Sequence, residues 1–236
     1  MQARQIRFLF MFLPLAAATA AGTTLPFPEE LLIGEHRRPV REVVEDFTVH
    51  RQVSGLRLSG RQAVFEHFLS HPDFAASVAR AAGVLKYTVK RRGEAEYWAN
   101  DHKGLKGRLE ILRVQEGQMV AFAQGRYKRG IIRIPGRLAL VVRFSEGRDE
   151  DSFYVENTVS GYVRLDGALL DPLARLFRPL VARIMEKRVR WFFRKVSRLM
   201  TRLSEDPEAI LQKLPAETWQ EEIDELRMLL AASGKV

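Results

Sequence analysis

From Leu85 to Leu165 apolar and polar side chains alternate with a period of two, and on either side of that block the period lengthens to three or four residues. Six segments within the block, "LKYTVKRRG", "AEYWANDH", "LKGRLEILRVQ", "QMVAFAQGRY", "RLALVVRFSEG" and "SFYVENTVSGYVRL", are separated by short Gly-rich or charged turns, the pattern of an antiparallel meander. Upstream, "VVEDFTVHRQVSGLRL" reads as a further strand with Phe47, Val49 and Val53 on it, ending near Gly55. In "LSGRQAVFEHFLSHPDFAASVARAAG" the spacing turns helical. Ser59 and Gln62 stand as in a capping box, Val64, Phe65, Phe68 and Leu69 form an apolar face, Pro72 divides two short helices, and Gly83 closes the second.

Alternation also assigns faces. Leu85, Tyr87 and Val89 share one side of their strand, and Phe153, Val155, Val159 and Val163 share another that includes Asn157. Downstream, "LLDPLARLFRPLVARIMEKRVRWFFRKVSRLMTRL" predicts a long amphipathic helix with Asp171 as N-cap, Pro172 in its first turn and a kink at Pro179. Its apolar stripe runs through Leu169, Leu173, Leu176, Phe177, Leu180, Ile184, Val189, Phe192, Val196, Leu199 and Leu203 and has to be buried. The last segment, from Ser204, holds Pro207, Pro215 and the helical "AETWQEEIDELRMLLAA".

Charge divides the C-terminal third in two. Residues 164–203 carry a balance of +8, and the segment from Ser204 onward −5. At the other end, Arg4 and Arg7 precede an apolar run from Phe8 to about Ala18, followed by Ala18-Thr19-Ala20, which reads as a secretory signal peptide cleaved after about Ala20. Cleavage takes away two Arg and no acid, so the formal charge of +9 falls to +7. The expected product is an exported, periplasmic protein, soluble or peripherally attached to a membrane, for which anionic lipid is a more natural partner than nucleic acid. Without cysteine, disulfides, a lipid-bearing thiol and thiolate zinc sites are excluded. The expected organisation is a signal peptide over 1–20, a leader over 21–42, one domain over 43–203 and an acidic helical tail over 204–236.

The first strand, the helical "LSGRQAVFEHFLSHPDF", the meander from Leu85 to Leu165 and the helix from Leu169 to Leu203 together resemble the START-like superfamily, also called the polyketide cyclase and coenzyme Q-binding or helix-grip group. The resemblance covers about residues 43 to 203. It implies an α+β fold, a curved antiparallel sheet wrapped around a long C-terminal helix, with a hydrophobic cavity between them for a lipid, isoprenoid or sterol-like molecule, and transfer of that molecule between membranes as its use. The signal peptide and the acidic tail depart from the minimal pattern. The superfamily has no shared catalytic residue to carry over.

Tyr87, Val155, Asn157, Val159 and Phe177 are the expected cavity residues, Asn157 because a buried amide on an apolar strand face needs partners. Arg188, Arg190, Trp191, Phe193, Arg194, Lys195 and Arg198 are the expected membrane contact, in which aromatics enter the head-group layer and cations meet phosphates. His67 and His71 stand at a spacing that can share a metal, with Asp73 near, but the end of a helix before proline explains them better; neither a metal nor a cofactor is expected. Asn100, Asp101 and His102 could supply an acid and a base, though a solvated turn suits them better. No nucleophile elbow, His-Glu-x-x-His or phosphate loop appears. Ligand carriage therefore leads over two rivals, a cyclase- or dehydratase-type enzyme and a non-catalytic envelope scaffold.

Overall fold

The computed structural model describes residues 27–28, 37–115, 117–130, 132–150, 152–166 and 172–232, with the backbone alone at 37, 129, 132 and 172–180. The expected signal peptide, most of the leader and Asp171 lie outside the described residues. In chain order the elements are α1 (Arg37–Glu45), β1 (Val49–Ser59), α2 (Gln62–Ser70), α3 (Pro72–Ala81), β2 (Thr88–Arg91), β3 (Glu96–Asn100), β4 (Leu105–Gln115), β5 (Gln118–Arg129), β6 (Ile132–Arg148), β7 (Phe153–Leu165), α4 (Pro172–Glu205), α5 (Pro207–Leu211) and α6 (Ala216–Ala232). The six meander strands fall where alternation places them. They pair in chain order, and β1, returning past α2 and α3, pairs antiparallel with β7, giving the order β1-β7-β6-β5-β4-β3-β2.

Two local readings are corrected. Residues 37–45 are helix where a leader and the start of a strand were expected, because Val40, Val43 and Val44 follow helical spacing and Pro39 is tolerated in a first turn. β1 also continues past Gly55 to Ser59, since a register shift between Val53 and Leu56 absorbs one extra residue. The expected capping box does not form. Arg61 is the N-cap of α2 and its side chain caps nothing, whereas the Gln62 amide donates to Glu146 Oε2 at 2.8 Å and Gln62 Oε1 accepts from the Glu146 amide at 3.0 Å. A β6 side chain thus satisfies the start of α2. Gly83, with φ +67°, follows the end of α3 as expected.

The sheet separates three apolar clusters. On the face towards α4, Val53, Leu58, Phe65, Phe144, Val155 and Val159 close around Phe193 of that helix. On the opposite face Val40 and Val43 of α1 cover Val120, Ala139, Val141 and Tyr162. The third cluster joins α2 and α3 to α4, α5 and α6 through Phe68, Phe74, Leu199, Leu203, Leu211 and Leu226. The C-terminal segment is therefore part of a core. Trp219 leaves helical geometry, with φ −128°, and its ring lies 5.6 Å from that of Phe74.

α4 is helical through Pro179 and lies closest to β1 among the strands. Ile184, expected in its apolar stripe, is 40% exposed, whereas Ala182, Phe193, Leu199, Met200 and Leu203 are buried. Among the described residues no helix is long and apolar enough to cross a membrane.

Candidate functional site

The face towards α4 changes character along the strands. Towards the β1–β7 edge it is closed, and towards β3–β6 it is lined by small and half-buried apolar residues in registered rows. One row runs Ala99, Gly107, Gly125, Gly136; the next runs Tyr97, Leu109, Ala123, Leu138; a third pairs Ile111 with Ala121 and Ala121 with Leu140. A Cβ on Gly107 would stand 2.3 Å from the Gln124 oxygen and 2.5 Å from Gly125 Cα, so only glycine lets β4 and β5 approach so closely. Leu109, Ile111, Ala123, Leu138 and Leu140 remain half-buried. These side chains make an apolar, incompletely covered stretch of the face towards α4, with Met185 of α4 near Gly161 at one side.

A polar group stands at one end of this apolar stretch. Asp101, in the turn between β3 and β4, is 7% exposed; its Oδ1 accepts from the amides of Lys103 (2.7 Å) and Leu105 (2.8 Å), and its Oδ2 accepts from Arg188 Nη1 of α4 (2.8 Å). The Arg188 guanidinium also lies 5.2 Å from the centre of the Tyr127 ring. Tyr87 sits beside this pair, and burial together with the Asp101 charge raises its phenol above the usual value, against the opposing pull of Arg188. The Asp101–Arg188 bond fastens α4 to the far end of the sheet. Asp101 was expected in a solvated turn; the turn exists, but three donors converge on its carboxylate and bury it. A charged residue after a strand gives no signal of a partner 87 residues away.

The other expected sites are placed as follows. Tyr87 stacks on Phe192, with ring centres 6.0 Å apart. Val155 and Val159 lie 0% and 4% exposed among Leu58, Phe65, Phe144 and Phe193, inside close-packed core. Asn157 is fully buried, and its Nδ2 donates to the oxygens of Leu56 (3.2 Å) and Val155 (3.0 Å), beside the β1 register shift. Among the described residues its Oδ1 has no hydrogen-bond partner. Phe177 belongs to α4, and its side chain lies outside the described residues.

Of the expected membrane contact, Phe193 is 8% exposed within the core cluster, and Arg188 is half-buried in its pair with Asp101. The aromatic triplet divides because its neighbours point about 100° apart on a helix. Trp191 is half-buried with Lys103 Nζ 4.3 Å from its ring centre, and Lys195 Nζ lies 6.0 Å from the same ring. Arg190, Arg194 and Arg198 are exposed, Arg190 in an ion pair with Glu186 at 3.1 Å. Arg183 and Lys187 continue their stripe towards the N-terminus of α4.

His67 is buried against Phe74 and His71, its Nδ1 3.4 Å from Glu225 Oε1 of α6. Burial holds its imidazole below the ordinary value; Glu225 opposes and His71 adds. Asp73 pairs instead with Arg91 at 3.1 Å, and among the described residues no cluster of three acidic or histidine side chains is placed to hold a metal. His102 Nε2 lies 2.8 Å from Thr88 Oγ1. On the face opposite α4, His50 Nε2 lies 2.9 Å from Ser160 Oγ and stacks on Tyr162, but Ser160 is 2% exposed and presents no open face to a substrate.

No family model and no curated protein matches the chain. Among solved structures the chain is similar to a conserved protein from Geobacillus kaustophilus, at 15% identity and a TM-score of 0.42, over 65% of this chain and 95% of that one.

Proposed function

We propose that the chain binds a hydrophobic molecule, of the lipid, isoprenoid or sterol-like class, in a trough between this face of the sheet and α4, and exchanges it at an anionic membrane. This is the START-like reading of the sequence. The observation that carries it is the registered lining of Gly107, Gly125, Leu109, Ala123, Leu138 and Leu140, which is apolar, small in the middle and incompletely covered. Apolar surface of that kind gains free energy at about 25 cal/mol per Å2 when a ligand removes it from water. The exposed stripe of Arg183, Lys187, Arg190, Arg194 and Arg198 supports exchange at anionic lipid, and the N-terminal apolar run supports export towards it.

Carriage is favoured over catalysis because Asp101 already accepts three hydrogen bonds and is not free to act as a base. An environment-sensitive fatty-acid or sterol probe tests the proposal. Ala123→Trp fills the trough and should abolish probe uptake while the chain stays folded. Uptake unchanged in that variant would overturn this face as the binding site, and no uptake by the wild type would overturn carriage and favour the scaffold reading.

A further inference from the structure

The face of the sheet opposite α4 carries a second cationic surface at the end that α1 leaves uncovered. By register, Lys106 of β4 stands directly opposite Arg126 of β5, and Lys128 of β5 directly opposite Arg133 of β6. Alternation puts all four on that side, where Arg126, Lys128 and Arg133 are exposed and Lys106 half-buried. Among the described residues none of the four has an ion-pair partner. Like charges directly opposite one another on adjacent strands destabilise a sheet, so two such pairs side by side oppose folding. Neighbouring strands lie about 4.8 Å apart, which keeps these cations within a Debye length of about 8 Å and makes their field that of one patch.

One row away, Trp98 is 41% exposed, with Lys90 opposite it on β2 and Arg108, itself paired with Glu96 and Glu110, opposite it on β4. A large amphipathic ring left in water beside Lys90 and the four-cation row suits a head-group layer, where the indole rests at the boundary and those cations meet phosphates. A single exposed ring makes a poor platform for successive bases, which argues against single-stranded nucleic acid.

We propose that this end of the face opposite α4, built from Lys90, Trp98, Lys106, Arg126, Lys128 and Arg133, docks on an anionic lipid surface. It lies across the sheet from α4 and its cationic stripe, so its docking is independent of ligand uptake and of that helix. A protein in which Trp191 and Trp219 are replaced by Phe leaves Trp98 as the local reporter. Its emission should shift to the blue with vesicles containing phosphatidylglycerol and stay unchanged with phosphatidylcholine alone. The fourfold variant Lys106→Gln, Arg126→Gln, Lys128→Gln, Arg133→Gln should lose that shift, weaken vesicle binding by a factor of about ten or more, and melt no lower than its parent, since it relieves two like-charge pairs. Trp98→Leu in the wild-type chain, read by co-sedimentation, should weaken vesicle binding while leaving probe uptake intact. A Trp98 spectrum indifferent to anionic vesicles, or a shift that survives in the fourfold variant, overturns the proposal. A shift produced by a short single-stranded nucleic acid and not by anionic vesicles would overturn the lipid assignment in favour of nucleic acid.

Discussion

Replacing Asp101 by Ala removes an acceptor from two backbone amides and from Arg188 at once. Asp101 is 7% exposed while its donor residues are partly open to water and can be resolvated, so the variant should be destabilised on the order of 1 to 2 kcal/mol, read from urea unfolding. Asp101→Asn keeps an amide oxygen for the backbone and should cost less. Equal losses in the two variants would mean that the carboxylate's charge contributes nothing. His67 makes a prediction of opposite chemistry. Its folded-state value lies below the unfolded value of about 6.5, so the unfolded chain takes up the proton more readily. The stability contributed by neutral His67 is therefore complete above about pH 6.5 and is lost as the pH falls from there through its lowered folded value. His50, held low by burial and then by Arg51, acts in the same direction. His67→Phe should leave stability at pH 8 nearly unchanged and flatten part of its decline towards pH 5. An identical decline in the variant would place the effect on other groups.

At the scale of elements, the acidic segment after Ser204 is held by apolar packing more than by charge. Its net charge suggests a shield over the α4 cations, yet among the described residues its ion pairs are Arg227 with Glu208 and Asp224, and Glu225 with His67. Ile210, Leu211, Leu214, Ile223 and Leu226 are buried in the same cluster as Phe74, Leu199 and Leu203. Deleting residues 206–236 should therefore expose that cluster and produce a chain that aggregates or melts far below the wild type, rather than one that binds vesicles more tightly. Circular dichroism melting decides between the two. The same logic applies to the β7 face: Val155→Trp should cost roughly 1 to 3 kcal/mol by overpacking, whereas Ala123→Trp at its half-buried position should cost little and act on ligand uptake.

For the molecule as a whole, the alternation from Leu85 to Leu165 determined the meander, because a period of two commits each strand to one buried face and short turns leave only antiparallel neighbours. The helical spacing around Phe65 and Phe68 and the stripe ending at Leu203 determined α2 and α4 for the same local reason. The α1 stripe was equally present in Val40, Val43 and Val44, but it is only nine residues long and begins beside a proline. What the chain could not express locally, tertiary structure decided. Alternation cannot say that Val155 is closed core while Ala123 stays half-buried, since both read as apolar on one face and differ only in what lies above them. Nor could it join Asp101 to Arg188, or set Lys106 against Arg126 and Lys128 against Arg133, because those neighbours are fixed by strand register and by the path of α4. Spacing along the chain determined which side each residue faces; what it meets there came from packing and register, which depend on residues far apart in sequence.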